Sequence, residues 1–91
     1  MKRHALLKRN AQAAWQQVDD NVVVVTPHTR KIHILSGVGM AIWQLLDMPR
    51  ESGAIIDALF EEYDVERERV ETDAESFLNA LLEKEIINQD D

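Results

Sequence analysis

The run from Lys31 to Asp47, K-I-H-I-L-S-G-V-G-M-A-I-W-Q-L-L-D, changes its hydrophobic period partway along. In Lys31–Leu35, β-branched Ile32 and Ile34 alternate with polar Lys31 and His33, the pattern of a half-buried strand with the isoleucines inward. From Val38 the apolar residues Val38, Ala41, Ile42 and Leu45 recur at i, i+3, i+4 and i+7, one face of a helix. Ser36-Gly37 lies between the two patterns. A serine oxygen there can accept from the free amides of a first helical turn. The chain must therefore pass from sheet to helix within two residues. That places a sheet on the N-terminal side and helices on the other.

The N-terminal side supplies two more strands. Ala14–Val18 reads as the first, anchored by Trp15, and Asp19-Asp20-Asn21 as a turn of short polar side chains. Val22–Thr26 is four valines and a threonine, apolar on both faces, which predicts a middle strand covered on both sides. Pro27 lacks an amide hydrogen and ends it. Two short turns predict an antiparallel meander with Lys31–Leu35 at an edge. Residues 1–12 read as a loose basic head with a helical turn through Ala5, Leu6 and Leu7.

Beyond the pivot, the first helix covers Val38–Leu46 and is broken at Asp47-Met48-Pro49-Arg50. The second starts at Glu51 or Ser52 and runs to Tyr63, with Ile55, Ile56, Leu59, Phe60 and Tyr63 on one face. The third begins between Asp64 and Val70 and runs to Lys84, with Val70, Ala74, Phe77, Leu78 and Leu81 as its stripe. Ile86-Ile87 closes the core and residues 88–91 form a loose tail. Three strands followed by three helices is an α+β, winged-helix-like layout: a three-stranded antiparallel sheet, then a helical half. Trp43 falls off the first helix's stripe. It reads as a packing tryptophan, with an exposed interface anchor as the alternative.

Charge and composition narrow the function. The chain has 91 residues and a formal net charge of −7, with no cysteine. One small domain fits that length. Disulfides, thiolate metal sites and cysteine nucleophiles are excluded. Lys2, Arg3, Lys8 and Arg9 make the head basic, but the body is strongly acidic and repels phosphate, which disfavours nucleic acid. A nucleic-acid-binding third helix would need positive charge, and Arg67 and Arg69 are outnumbered there by acids. No apolar run nears the ~20 residues of a membrane span. The head lacks a signal-peptide core, so a cytoplasmic protein is expected.

Reactive chemistry is hard to find. His4, His28 and His33 have no metal-ligand spacing, so no metal is expected. Ser36, Ser52 and Ser76 lie outside any nucleophile motif. Gly37-x-Gly39 is too short for a dinucleotide fingerprint, and no cofactor is implied. The remaining feature is the edge strand Lys31–Leu35. Its unpaired backbone is either blunted by Lys31 and His33 or pairs with another chain.

The order of residues resembles the PqqD-like family. The resemblance lies in His33-x-Leu35, Ala41-Ile42-Trp43-x-Leu45-x-Asp47, Ile55-x-x-x-Leu59, Tyr63-Asp64-Val65, Val70-x-x-Asp73 and Phe77-Leu78-x-x-Leu81. It covers about residues 13–87, which would be one recognition domain. It implies the same three-strand, three-helix fold and no catalysis. Such proteins are peptide chaperones. They hold the leader of a ribosomally made precursor by β-augmentation and present it to a maturation enzyme, often a radical S-adenosylmethionine protein. Carried onto this chain, the resemblance implies a cleft with Lys31, Ile32, His33, Ile34 and Leu35 on one side. Val70, Asp73, Ala74, Phe77 and Leu81 of the third helix lie on the other. A homodimer through the same edge is the alternative, and a nucleic-acid-binding winged helix ranks below it. The chain departs from the family pattern at Met48, Glu51, His28 and Glu85. At Glu85 the family usually has glycine near the end of the third helix.

Overall fold

The switch of period is realised where the sequence places it. In a computed structural model describing residues 5–63 and 65–90, a strand at Lys31–Leu35 enters a helix at Gly37–Leu45. In chain order the strands are β1 (Leu6–Arg9), β2 (Ala14–Val18), β3 (Asn21–Thr26), β4 (Lys31–Leu35), β5 (Arg50–Glu51) and β6 (Ile87–Asp90). The helices are α1 (Gly37–Leu45), α2 (Ser52–Glu62) and α3 (Arg67–Glu83). The predicted antiparallel meander is present as a sheet ordered β2-β3-β4, and three helices follow it in the α+β arrangement expected. The edge strand of the sequence reading is β4.

A second sheet, ordered β5-β1-β6, was not anticipated. Leu6–Arg9 is a strand rather than part of a loose head, and no helical turn forms at Ala5–Leu7. It pairs antiparallel with residues 87–90, which are a strand rather than a loose tail. Leu7 faces the core and is fully buried, as are Ile86 and Ile87, so these short segments gain from pairing what their own sequences cannot supply. The head residues Lys2, Arg3 and His4, together with Asp64 and Asp91, lie outside the described residues.

The register of the β2-β3-β4 sheet corrects the reading of β4. Val22 pairs with Leu35, Val24 with His33 and Thr26 with Lys31. Val22, Val24 and Thr26 are buried. Directly opposed residues share a face, so Leu35, His33 and Lys31 point towards the helices. Ile32 and Ile34 point the other way and are 71% and 69% exposed. The valine strand outweighs the local pattern of β4, because a shift of one residue would turn every core valine outward. Cover on both faces of β3 is also corrected: Val23 and Val25, on the outer face with Ile32 and Ile34, are only half-buried.

The core lies between the sheets and helices. It gathers Leu7, Val22, Val24, Leu35, Ile42, Leu46, Ile55, Leu59, Leu78 and Ile87 around Trp43. Trp43 is 1% exposed, so it is the packing tryptophan rather than a surface anchor. It meets half-exposed Trp15 edge to face at 5.6 Å. The Arg9 guanidinium lies over both rings, 4.8 Å from Trp15 and 4.7 Å from Trp43, and donates to the Trp43 carbonyl. This stack joins β1, β2 and α1 and covers the buried indole with a cation that retains two carbonyl contacts. The Trp43 Nε1–H is buried with no acceptor among the described residues.

Candidate functional site

Among the described residues, β4 has a strand partner on one side only. Its other side carries a row of unpaired backbone donors and acceptors, the template that β-augmentation uses. α3 runs antiparallel to β4 across a groove of about 490 Å³. Leu35, Phe77, Leu81 and Ile86 give the groove apolar walls, while His33 and Lys84 lie towards one end. Phe77 is 42% exposed although it belongs to the stripe of α3, because the groove leaves its ring uncovered.

Gly39 lines the groove from α1. A Cβ there would lie 3.9 Å from Leu35 and 4.0 Å from Phe77, so glycine keeps the floor one methyl deeper. Gly37 has φ +55°, a left-handed conformation suited to glycine, with open space around it. It turns the chain from β4 into α1 so that helix and strand close the same groove. The expected serine cap is not made: Ser36 is extended and its side chain accepts no capping bond. The backbone turn at Gly37, and not the hydroxyl, directs the entry into α1.

At the far end of α3 the chain reverses through a Schellman motif. The Ile86 amide donates to the Leu81 carbonyl at 3.0 Å, and the Glu85 amide to the Leu82 carbonyl at 3.1 Å. Glu85 takes the left-handed conformation, φ 60°. The reversal swings Ile86 back under Leu81 to close one end of the groove, and Asn10 Nδ2 holds the turn by donating to the Glu85 carbonyl at 2.8 Å.

His33 sits between the sheet and the end of α3. Its Nε2 lies 3.0 Å from the Thr26 hydroxyl, which is buried and also bonds the Thr29 hydroxyl. Burial, then Lys84, then Lys31 hold the imidazole below its ordinary pKa. Its surroundings therefore favour the neutral ring.

The residues expected on the third helix divide between two places. Phe77 and Leu81 line the groove with Ile32, His33, Ile34 and Leu35. Val70, Asp73 and Ala74 do not. They line a separate cavity of about 250 Å³ with Val38, Leu59, Tyr63 and Arg69. Val70 and Ala74 are buried core residues, and Asp73 is ion-paired with Arg69 at 3.8 Å. Lys31 lies beyond the groove in an adjoining depression, which it shares with His33 and Lys84. Sequence reasoning missed Gly39, Ala80, Lys84 and Ile86 as groove residues. Ala80 and Lys84 lie one helical turn beyond Phe77 and Ala80 respectively, so the i, i+3/i+4 rule applied from Phe77 would have found them. Among the described residues, no three His, Asp or Glu side chains cluster as a metal site would require, and no helix is long and apolar enough to cross a membrane.

The chain is similar to known proteins. The profile of the family described as Coenzyme PQQ synthesis protein D (PqqD) matches residues 21–87. That span runs from β3 through the groove to the first residue of β6. Among solved structures, the one described as TbiB1 in Complex with the TbiA(beta) Leader Peptide is similar at 36% identity, with a TM-score of 0.80. The similarity covers 88% of this chain and 93% of that one. No curated protein matches the chain.

Proposed function

We propose, for a chain that belongs to the PqqD family, a role as a leader-peptide recognition element in the maturation of a ribosomally made peptide. The open edge of β4 carries this reading: a peptide lying along it extends the β2-β3-β4 sheet by one strand. Alternate peptide side chains then enter the groove against Leu35, Phe77 and Leu81, while the others lie beside Ile32 and Ile34 on the outer face. The solved relative bears a leader peptide in its description, which supports the same class of ligand here.

The binding residues are Lys31, Ile32, His33, Ile34 and Leu35 with Phe77 and Leu81. Val70, Asp73 and Ala74 support the helix from the far side. The protein holds its ligand and does not transform it. It presents the precursor in the cytoplasm to a modifying enzyme, a radical S-adenosylmethionine protein or another maturation enzyme. The recognition unit extends beyond residues 13–87, since β1 and β6 pack into the same core.

Proline scanning of β4 tests the reading. Alternate residues of an edge strand direct their amides inward to the sheet or outward to solvent. Prolines at Ile32, His33 and Ile34 should therefore alternate in effect. Where the amide faces outward, the fold stays and leader binding is lost; where it faces β3, the fold itself weakens. Titration with a cognate leader peptide should move the amide signals of Lys31–Leu35, Phe77 and Leu81. Signals that move only at residues remote from the groove would sink the proposal.

A further inference from the structure

Backbone pairing to an edge strand is indifferent to sequence, so something else must fix where along β4 a peptide stops. A slip of one residue would swap the side chains entering the groove for those facing out. The apolar walls discriminate weakly between neighbouring registers when several apolar residues follow one another. A charge at one end of the track discriminates better, because a displaced carboxylate loses its partner.

The cations of this acidic chain are distributed unevenly in just that respect. Lys8 pairs with Asp90, Arg50 with Asp47, Arg67 with Asp57 and Glu71, and Arg69 with Asp73. Arg9 lies on the two tryptophans. Among the described residues only Arg30, Lys31 and Lys84 have neither an acidic nor an aromatic partner. All three lie at one end of the groove. Lys31 is the first residue of β4, next to Arg30, and Lys84 follows the last residue of α3.

Lys31 and Lys84 converge on the depression of about 310 Å³ that continues the groove past His33. Both are close enough to His33 to disfavour its protonation. One carboxylate, Glu83, shares the depression, but Lys84 alone of the pair also lines the groove itself. The dipole of α3 favours a cation at Lys84. It gives no reason for a second one opposite, on β4.

Resting on the peptide-binding reading, we propose that Lys31 and Lys84 form a carboxylate-recognising end of the groove, which sets the register and direction of the bound peptide. The occupant is an extended peptide segment with an Asp or Glu at the Lys31–Lys84 end. Its apolar residues follow towards Leu35, Phe77 and Leu81. The bound carboxylate lies near the His33 ring and two ammonium groups on an otherwise acidic molecule. An acid elsewhere along the peptide meets the apolar walls of the groove without either ammonium group as its partner.

The test uses the full chain and a random peptide library displayed on phage, selected in parallel against the wild type, K31E/K84E and F77E. F77E puts a charge on the groove wall and identifies groove-dependent binders. Lys31 and Lys84 are exposed, so K31E/K84E should fold normally, as circular dichroism would verify. Peptides selected by the wild type and rejected by F77E should carry Asp or Glu at one fixed distance from an apolar anchor. K31E/K84E should select Lys or Arg at that position instead. For one such peptide, replacing its acid by the neutral amide should weaken binding about tenfold by fluorescence anisotropy, with the loss shrinking at high salt. A peptide with Lys in place of its acid should regain affinity for K31E/K84E. Groove-dependent peptides with no fixed acid, or whose acid preference survives K31E/K84E, would overturn this inference and leave peptide binding standing. Selection of no groove-dependent peptide would overturn both.

Discussion

Among the described residues Glu85, like Asp19 and Arg30, holds a left-handed backbone without being glycine. It holds φ 60° at the end of α3, where the side chain crowds the backbone and the usual residue is glycine. Its role in the Schellman motif is made by backbone groups, and Asn10 binds its carbonyl, so the side chain contributes nothing visible to the turn. Glu85→Gly should therefore stabilise the fold by about 0.5–1 kcal/mol, since relief of the left-handed strain exceeds the added freedom of the unfolded chain. Urea denaturation of the two proteins measures it.

At His33 the prediction is a pH dependence. The folded-state pKa lies below the unfolded one because burial and the two lysines oppose the charge. Above the ordinary histidine value of about 6.5 neither state is protonated and the residue is silent. As the pH falls through that value the unfolded chain binds the proton first, and stability drops. The loss is complete once the pH is below the lowered pKa. Between about pH 7.5 and pH 5 the wild type should lose more stability than His33→Gln, which cannot titrate. Equal losses would show that neither burial nor the lysines lower the pKa of this ring.

Among the elements, β1 and β6 are the ones whose presence the sequence conceals. Leu6–Arg9 mixes two leucines with two cations, and Ile87–Asp90 has one inward residue, Ile87. Neither alternates over enough residues to announce a strand. Each is completed by the other from the opposite end of the chain, with Leu7 opposite Gln89 and Lys8 opposite Asn88. Removing residues 88–91 should cost about 1–3 kcal/mol, roughly the net worth of the lost ladder bonds. The Lys8–Asp90 ion pair is exposed and adds little. A truncated protein as stable as the full chain would mean that the second sheet is ornamental. By contrast β2, β3 and β4 were legible because a run of valines between two turns admits no other reading. The three helices were legible because their stripes span two to four turns.

For the whole molecule, the exposed edge of β4 sets a competition. The same backbone row that takes a peptide can take β4 of a second copy, and one row cannot serve both. Sedimentation at rising protein concentration should show that any dimer formed through this edge dissolves as leader peptide is added. A dimer indifferent to saturating peptide would place self-association on another surface. The outer face of the sheet is the one to examine then, since Ile32 and Ile34 leave it apolar.

The sequence by itself determined the order of the main elements, the meander, the edge position of Lys31–Leu35 and the acidic character that disfavours nucleic acid. Each is a local or summed property: a period, a turn residue, a charge count. What only the tertiary structure decided depends on residues distant in the chain. The burial of Val22 and Val24 turned Ile32 and Ile34 outward against the pattern of their own strand. The pairing of residues 6–9 with 87–90 made a second sheet from segments too short to fold alone. The neighbours that α3 meets along its length sent Phe77 and Leu81 to the groove and Val70 and Ala74 to a separate cavity, although all four share one helical stripe. A stripe gives the side of a helix that is buried. Which neighbour buries each turn of it is set by the packing of the other elements, and that information is spread over the whole chain.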